Sequence, residues 1–262
     1  MKRNLSPWLH QLNATRKQKK LSEDITTDIA IIGAGIAGTA TAFFTLKYTD
    51  KKVVLIERFK LAHGATGHNA GQVVSYFERG FASIVEEFGP VLAAQGQKAI
   101  DDAWELIDEM YTDAGLDIPF SRFLGYGGLS SREQVLWHLR NNQAKQKASL
   151  ATVRLQISDA SGIAAELPEE FEDLYEIVPR ETLCRLLETE LTDYVAIVSS
   201  QKGCLNSALF CQEVIGYLLR TYPERFAFYE HTPVHKVILR GNRAILDADT
   251  HTVSASRVIL CS

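Results

Sequence analysis

The sequence predicts an α/β fold, on three observations. A short apolar run ends at a glycine-rich turn, an uncharged helical stretch follows it, and a second apolar run ends in an acid. All three lie in residues 28–58, DIAIIGAGIAGTATAFFTLKYTDKKVVLIER. Residues 29–32 suit a buried parallel strand, as do residues 53–56. Between them Gly33, Gly35 and Gly38 are spaced G-x-G-x-x-G across a strand-to-helix turn. The first glycine permits the tight turn and the second lets backbone approach a pyrophosphate. The third lets the helix pack closely on the sheet. Gly38 and Ala42 together give that helix a small face. The helix N-terminus offers free N–H groups and the positive end of its dipole to an anion. Glu57, at the end of the second strand, offers a carboxylate to two ribose hydroxyls. This unit is therefore expected to hold the ADP half of a dinucleotide, through Gly33, Ala34, Gly35, Ile36, Ala37, Gly38, Glu57 and the adjoining Arg58.

Residues 29–46 carry no charge, which reaches the lower limit for a membrane span. Three glycines and a second strand ending in an acid argue against that reading, so no transmembrane segment is expected. The chain has 262 residues, with 46% hydrophobic and 23% charged, enough for one large core or two modest ones in an ordinary globular protein. A net charge of −4 gives no reason to expect nucleic acid as a partner. Basic residues cluster early, at Lys2, Arg3, Arg16, Lys17, Lys19 and Lys20, without the apolar core of a secretory signal. Residues 1–24 are therefore expected to form a solvated N-terminal arm. Cys184, Cys204, Cys211 and Cys261 form no C-x-x-C pair and no metal-ligand spacing. They read as thiols in a reducing, cytoplasmic compartment, with no metal.

After Glu57, HGATGHNAGQ at 63–72 is a glycine-rich loop expected to run into a short helix. Apolar residues at helical spacing over 81–114 predict two helices broken near Gly89-Pro90. Residues 123–129 read as a strand and 131–150 as a mostly polar helix. Short strands and acidic turns alternate from 151 to 203, and ELPEEFEDLYEI at 166–177 reads as a solvated face. Asn206 is a candidate N-cap for a helix reaching Leu219. Short strands follow at 226–229, 234–239, 244–246, 252–254 and 258–261, separated by turns such as Arg240-Gly241-Asn242.

Four segments resemble the FAD-dependent D-amino-acid oxidase, glycine oxidase and sarcosine oxidase family, nearest its branch of amine and γ-glutamylputrescine oxidoreductases. They are DIAIIGAGIAGTATA with Glu57 and Arg58, GATGHNAGQ at 64–72, GCLNSALFCQEVIGYL from 203, and HTPVHKVILRGNRAILDADTHTVSASRVILCS from 231. The middle, 81–202, matches only in layout. The resemblance implies a Rossmann-like FAD-binding domain with a parallel sheet and a β-meander, formed discontinuously by 25–80 and 203–262. The second part is α+β: 81–202 would form part of a mixed substrate or cap domain. FAD is the implied cofactor. Thr66, Gly67, Asn69, Ala70, Gly71 and Gln72 would line its pyrophosphate and ring, Val234 would meet the adenine side through its backbone, and Cys261 completes the implied set. His68 stands where this branch often has arginine, and Ser207 where it often has proline.

The implied reaction is oxidation of the C–N bond of an amine or amino acid by hydride transfer to flavin, the protein supplying orientation and electrostatics. A neutral amine needs no dedicated general base. Oxygen or a quinone would accept the electrons, with an electron-transfer protein also open. Of His63, His68, His138, His231 and His235, only His68 sits in a loop expected near flavin, so it is the one catalytic candidate. Tyr76 and Arg79 follow that loop and read as helix-surface residues. Family members continue past the return strand into a second flavin segment, so the chain is expected to be an N-terminal piece of a longer oxidoreductase, inactive on its own. Two alternatives stand beside this: an NAD(P)-dependent enzyme using the same fingerprint, and a nucleotide-binding fragment without activity.

Overall fold

The structure, a computed structural model, describes residues 6–261; Lys2 and Arg3 of the expected arm and the terminal Ser262 lie outside them. The chain divides into two compact units. The first takes in Met1–Gln72, Ile107–Phe120 and Leu205–Ser262, and the second Val73–Leu106 and Ser121–Cys204. Residues 107–120, read from sequence as part of the middle segment, thus fall in the first unit.

In chain order the elements are α1 (Pro7–His10), β1 (Ile25–Ile32), α2 (Ile36–Tyr48), β2 (Val53–Ile56), β3 (Gln72–Val74), α3 (Phe81–Ala114), β4 (Phe120–Leu129), α4 (Arg132–Lys147), β5 (Leu155–Ser158), β6 (Tyr175–Val178), α5 (Arg180–Leu186), β7 (Ala196–Leu205), α6 (Ser207–Thr221), β8 (Phe226–Tyr229), β9 (Lys236–Arg240), β10 (Arg243–Ala248) and β11 (His251–Leu260).

The first unit is built on a six-stranded sheet in the order β8-β2-β1-β11-β10-β9. Strands β8, β2, β1 and β11 are mutually parallel. β10 pairs antiparallel with β11 and β9, which gives the meander. All four residues of β2 are buried, as befits a parallel strand covered on both faces. One side of the sheet packs Ala30, Val54, Ile56, Leu246, Val253 and Ala255 into a single core. The two strands expected at 252–254 and 258–261 are one continuous strand. β11 pairs with β10 over its first half and with β1 along nearly all its length, so nothing interrupts it. Cys261 follows the strand, its N–H donating to the Ile32 carbonyl at 2.8 Å.

The arm is docked rather than solvated. Ser6 caps α1, with Pro7 in its first turn. Arg16 reaches both carboxylate oxygens of Glu230, at 2.6 and 2.5 Å. Glu230 is fully buried, and a buried carboxylate requires such a partner. Leu21 enters the core, while Lys17, Lys19 and Lys20 stay exposed.

The second unit carries the sheet β3-β7-β5-β6, with β4 also pairing β7. Its core gathers Leu129, Val135, Leu139, Leu155, Ile157, Phe171, Leu174 and Ala196. The acidic stretch keeps Glu169, Glu170, Glu172 and Asp173 in solvent but buries Phe171 and Leu174 between them. α3 is broken where expected: Gly89 adopts φ 79° and ψ 160° just before Pro90. Ser131 caps α4, accepting from the Gln134 N–H at 3.3 Å.

At α6 the side-chain oxygen of Asn206 accepts from the amides of Ala208 and Leu209, at 3.1 and 3.0 Å. Its amide also donates to the Trp8 carbonyl at 3.2 Å. Asn206→Ala should lower stability by about 1–2 kcal/mol, measured as an earlier denaturant midpoint with an unchanged slope.

Candidate functional site

The fingerprint folds as its spacing requires. Gly33 takes φ +104°, a conformation that favours glycine, and its N–H donates to the Ile56 carbonyl at 2.8 Å. A Cβ on Gly38 would lie 1.9 Å from the Gly33 carbonyl oxygen and 3.4 Å from Leu55. No side chain fits there, so α2 descends directly onto the turn. Gly38 and Ala42 are both buried on the face of α2 that meets the sheet.

This places the α2 N-terminus beside the end of β1 with its amides unequally occupied. The Ile36 N–H donates to the Thr66 hydroxyl at 2.9 Å, and the Ala34 N–H donates to Glu57 Oε2 at 3.0 Å. Among the described residues the Gly35 and Ala37 amides have no protein acceptor. Open donors thus remain at the positive end of the helix dipole, as an anion requires. A side chain at Gly35 would collide with the Thr66 hydroxyl, at 2.9 Å.

Glu57 is held by two backbone amides, one on each oxygen: Ala34 on Oε2, and Phe59 on Oε1 at 2.8 Å. A carboxylate offers about four lone-pair sites, so it can still accept two hydroxyls. Arg58 is exposed and rests on the Phe59 ring, 4.5 Å from its centroid.

The 64–72 loop does not lead into the expected short helix. It makes a single 3₁₀ turn, Ala65–His68, and then enters β3. The chain is already extended at Asn69, and Gly71, at φ +68°, makes the turn into β3. Its Cβ would strike the Leu205 carbonyl at 2.4 Å, and that of Gly67 the Ala62 carbonyl at 2.4 Å. Asn69 Oδ1 accepts from the Gly71 N–H at 2.8 Å. The buried Ser207 hydroxyl lies 2.6 Å from the Thr66 carbonyl and 3.0 Å from Asn69 Oδ1, its one proton serving either. Where proline would offer no donor, Ser207 joins the first residue of α6 to this loop. Ala70 and Gln72 are exposed. His68 is also exposed, with Nδ1 2.8 Å from the Gly64 carbonyl.

Val234 is half-buried and packs on the core of the sheet. The Cys261 thiol lies 3.9 Å from the Thr41 hydroxyl. One cysteine is inert: burial pushes the Cys211 thiol up to about 12. The Trp8 contact with the loop is one that sequence reasoning missed, because nothing at residue 8 signals a partner sixty residues on.

In the second unit Arg79 pairs with Glu87 at 2.6 Å. It also lines an open cleft of about 560 Å³ with Phe77, Glu78, Ile84, Phe88 and Leu92. This cleft shares no residue with the fingerprint. Among the described residues no group of three or more potential metal ligands exists, and no helix is long and apolar enough to cross a membrane.

A parallel sheet, a glycine turn without room for side chains, and a carboxylate beside open helix amides define a dinucleotide-binding oxidoreductase scaffold. The chain belongs to the FAD dependent oxidoreductase family, whose model matches residues 28–262. It is similar to γ-glutamylputrescine oxidoreductase of Escherichia coli, 30% identical over 89 residues, which are 34% of this chain and 21% of that protein. Glycine oxidase of Geobacillus kaustophilus has the same fold, with TM-score 0.60 and 18% identity over 90% of this chain and 55% of that one. So does L-α-glycerophosphate oxidase of Mycoplasma pneumoniae solved with FAD bound, with TM-score 0.61 and 14% identity over 89% of this chain and 53% of that one. The chain therefore spans about half the length of these solved structures and a smaller share of the curated relative.

Gly38→Ala should displace α2 from the turn. The expected cost is about 3 kcal/mol, the upper end for overpacking, together with loss of FAD uptake, read by denaturant melts and equilibrium dialysis.

Proposed function

We propose that this chain supplies the ADP-binding end and flavin loop of an FAD-dependent oxidoreductase that oxidises the C–N bond of an amine or amino acid. The single observation that carries the cofactor assignment is the pairing of open Gly35 and Ala37 amides with a Glu57 carboxylate that retains free lone pairs. In this reading the pyrophosphate takes the α2 N-terminus and the adenosine ribose takes Glu57. Thr66, Gly67, Asn69, Ala70, Gly71 and Gln72 run beside the pyrophosphate and ring, and Val234 and Cys261 complete the site. Bound FAD supplies the hydride-accepting ring.

The choice of a C–N bond rests on the likeness to γ-glutamylputrescine oxidoreductase and the fold shared with glycine oxidase. A substrate that loses hydride from carbon next to a neutral amine needs no dedicated general base. His68 then shapes its loop through Gly64, and a catalytic part for it has only its position in support. Oxygen or a quinone is the electron acceptor. Four free thiols suit a cytoplasmic setting.

The purified protein should be yellow, with FAD released on denaturation. In the whole protein, under anaerobic conditions, a panel of amines and amino acids should bleach the visible flavin band. Bleaching by glycerol 3-phosphate and by no amine would overturn the C–N assignment, and a colourless protein that binds NAD would overturn the cofactor. Glu57→Gln should weaken FAD binding about tenfold, the effect of losing a charge-assisted hydrogen bond, measured by fluorescence titration.

A further inference from the structure

Beyond its own internal hydrogen bonds, the 64–72 loop is held from two sides. On one side stand the Ser207 hydroxyl and the Leu205 backbone, whose N–H donates to the Gly71 carbonyl at 3.0 Å. On the other side stands the N-terminal strap. The Trp8 indole N–H donates to the Asn69 carbonyl at 2.7 Å. Its ring edge lies 2.9 Å from where a Gly71 Cβ would be, and Leu9 Cδ2 lies 2.5 Å from where a Gly67 Cβ would be. Two of the loop's glycines are therefore matched in shape to strap side chains.

The strap is itself secured at points outside the loop. Asn206 holds the Trp8 carbonyl at 3.2 Å, and the Asn13 N–H donates to Gln212 Oε1 at 3.0 Å. Arg16 closes on the buried Glu230, which also accepts from the Leu61 N–H at 2.7 Å. The Glu230 N–H donates to the Lys19 carbonyl at 2.8 Å. None of these contacts involves the 33–38 turn. The turn meets the loop through the Ile36 N–H and the Thr66 hydroxyl, whereas Trp8 bonds the loop further along, at Asn69, and packs at Gly71. That difference in place gives the strap a task on the far part of the loop.

We infer that Trp8 is a positioning residue for the flavin half of the cofactor: it fixes the Asn69 carbonyl and the Gly71 turn so that the 64–72 loop is already shaped when FAD arrives. The inference rests on the cofactor reading above. Pre-shaping raises affinity by removing the ordering cost that binding would otherwise carry.

The test compares FAD and ADP as ligands of the wild-type chain, Trp8→Phe and Trp8→Leu. The phenylalanine variant keeps an aromatic ring while losing the N–H donor and part of the indole surface, so it should fold even if the leucine variant does not. Trp8→Phe should weaken FAD binding about fivefold, the loss of one ordinary hydrogen bond, leave the ADP dissociation constant unchanged, and shift the visible flavin band. Equal weakening of FAD and ADP would overturn the inference, since a merely structural role acts on both. Unchanged or tighter FAD binding would overturn it as well. A wild-type chain that binds ADP but no FAD overturns the cofactor reading and the role of Trp8 with it; wild-type FAD binding unaffected by either variant overturns the role of Trp8 alone.

Discussion

The contact between Gly38 and the Gly33 carbonyl governs the first unit. With 1.9 Å between that oxygen and any added Cβ, the helix can sit where it does only if the residue has no side chain. Everything around the turn follows from that approach. The α2 N-terminus comes down to the end of β1, Glu57 at the end of β2 comes within reach of the Ala34 amide, and Thr66 comes to cap Ile36. A larger residue would not just weaken one contact; it would separate three groups that must converge.

Local rules made this part of the structure readable. The strand, turn and helix lie within a few dozen residues, and each glycine answers a constraint imposed by near neighbours in the chain. The N-cap at Asn206 and the break at Gly89 have the same origin. The fold class and the FAD family followed from these elements. What could not be read depends on partners far apart. Arg16 and Glu230 are separated by 214 positions, so a cluster of cations read as a solvated arm when one of them was a counter-ion to a buried acid. Phe171 and Leu174 were hidden in the same way by the carboxylates beside them. The continuous β11 escaped because exposed Ser256 and Arg257 break its apolar pattern, although β1 pairs with it from Val253 to Leu260.

Glu230 illustrates a division of labour between the two carboxylates near the ends of neighbouring strands. Glu57 stands half-open and meets only uncharged amides, so it keeps lone pairs for a ligand. Glu230 is sealed from water and committed to a guanidinium and an amide. An ionised group in that position is tolerated only because its partners are complete. Its value is therefore architectural: it fastens residue 16 of the strap to the end of β8 and thereby limits where residues 8 and 9 can lie.

The resulting arrangement separates anchoring from reactivity. Each side chain that shapes the site, Thr66, Asn69, Ser207 and Glu57, works by accepting or donating hydrogen bonds to backbone, and none forms a nucleophile–base pair. Such a site can define where a cofactor lies without deciding what it oxidises. Selection among amines, amino acids and other hydride donors must then come from groups that touch the substrate, and these are not the residues that make the family recognisable. That is why a strong fingerprint points so clearly to a dinucleotide and constrains the substrate so little.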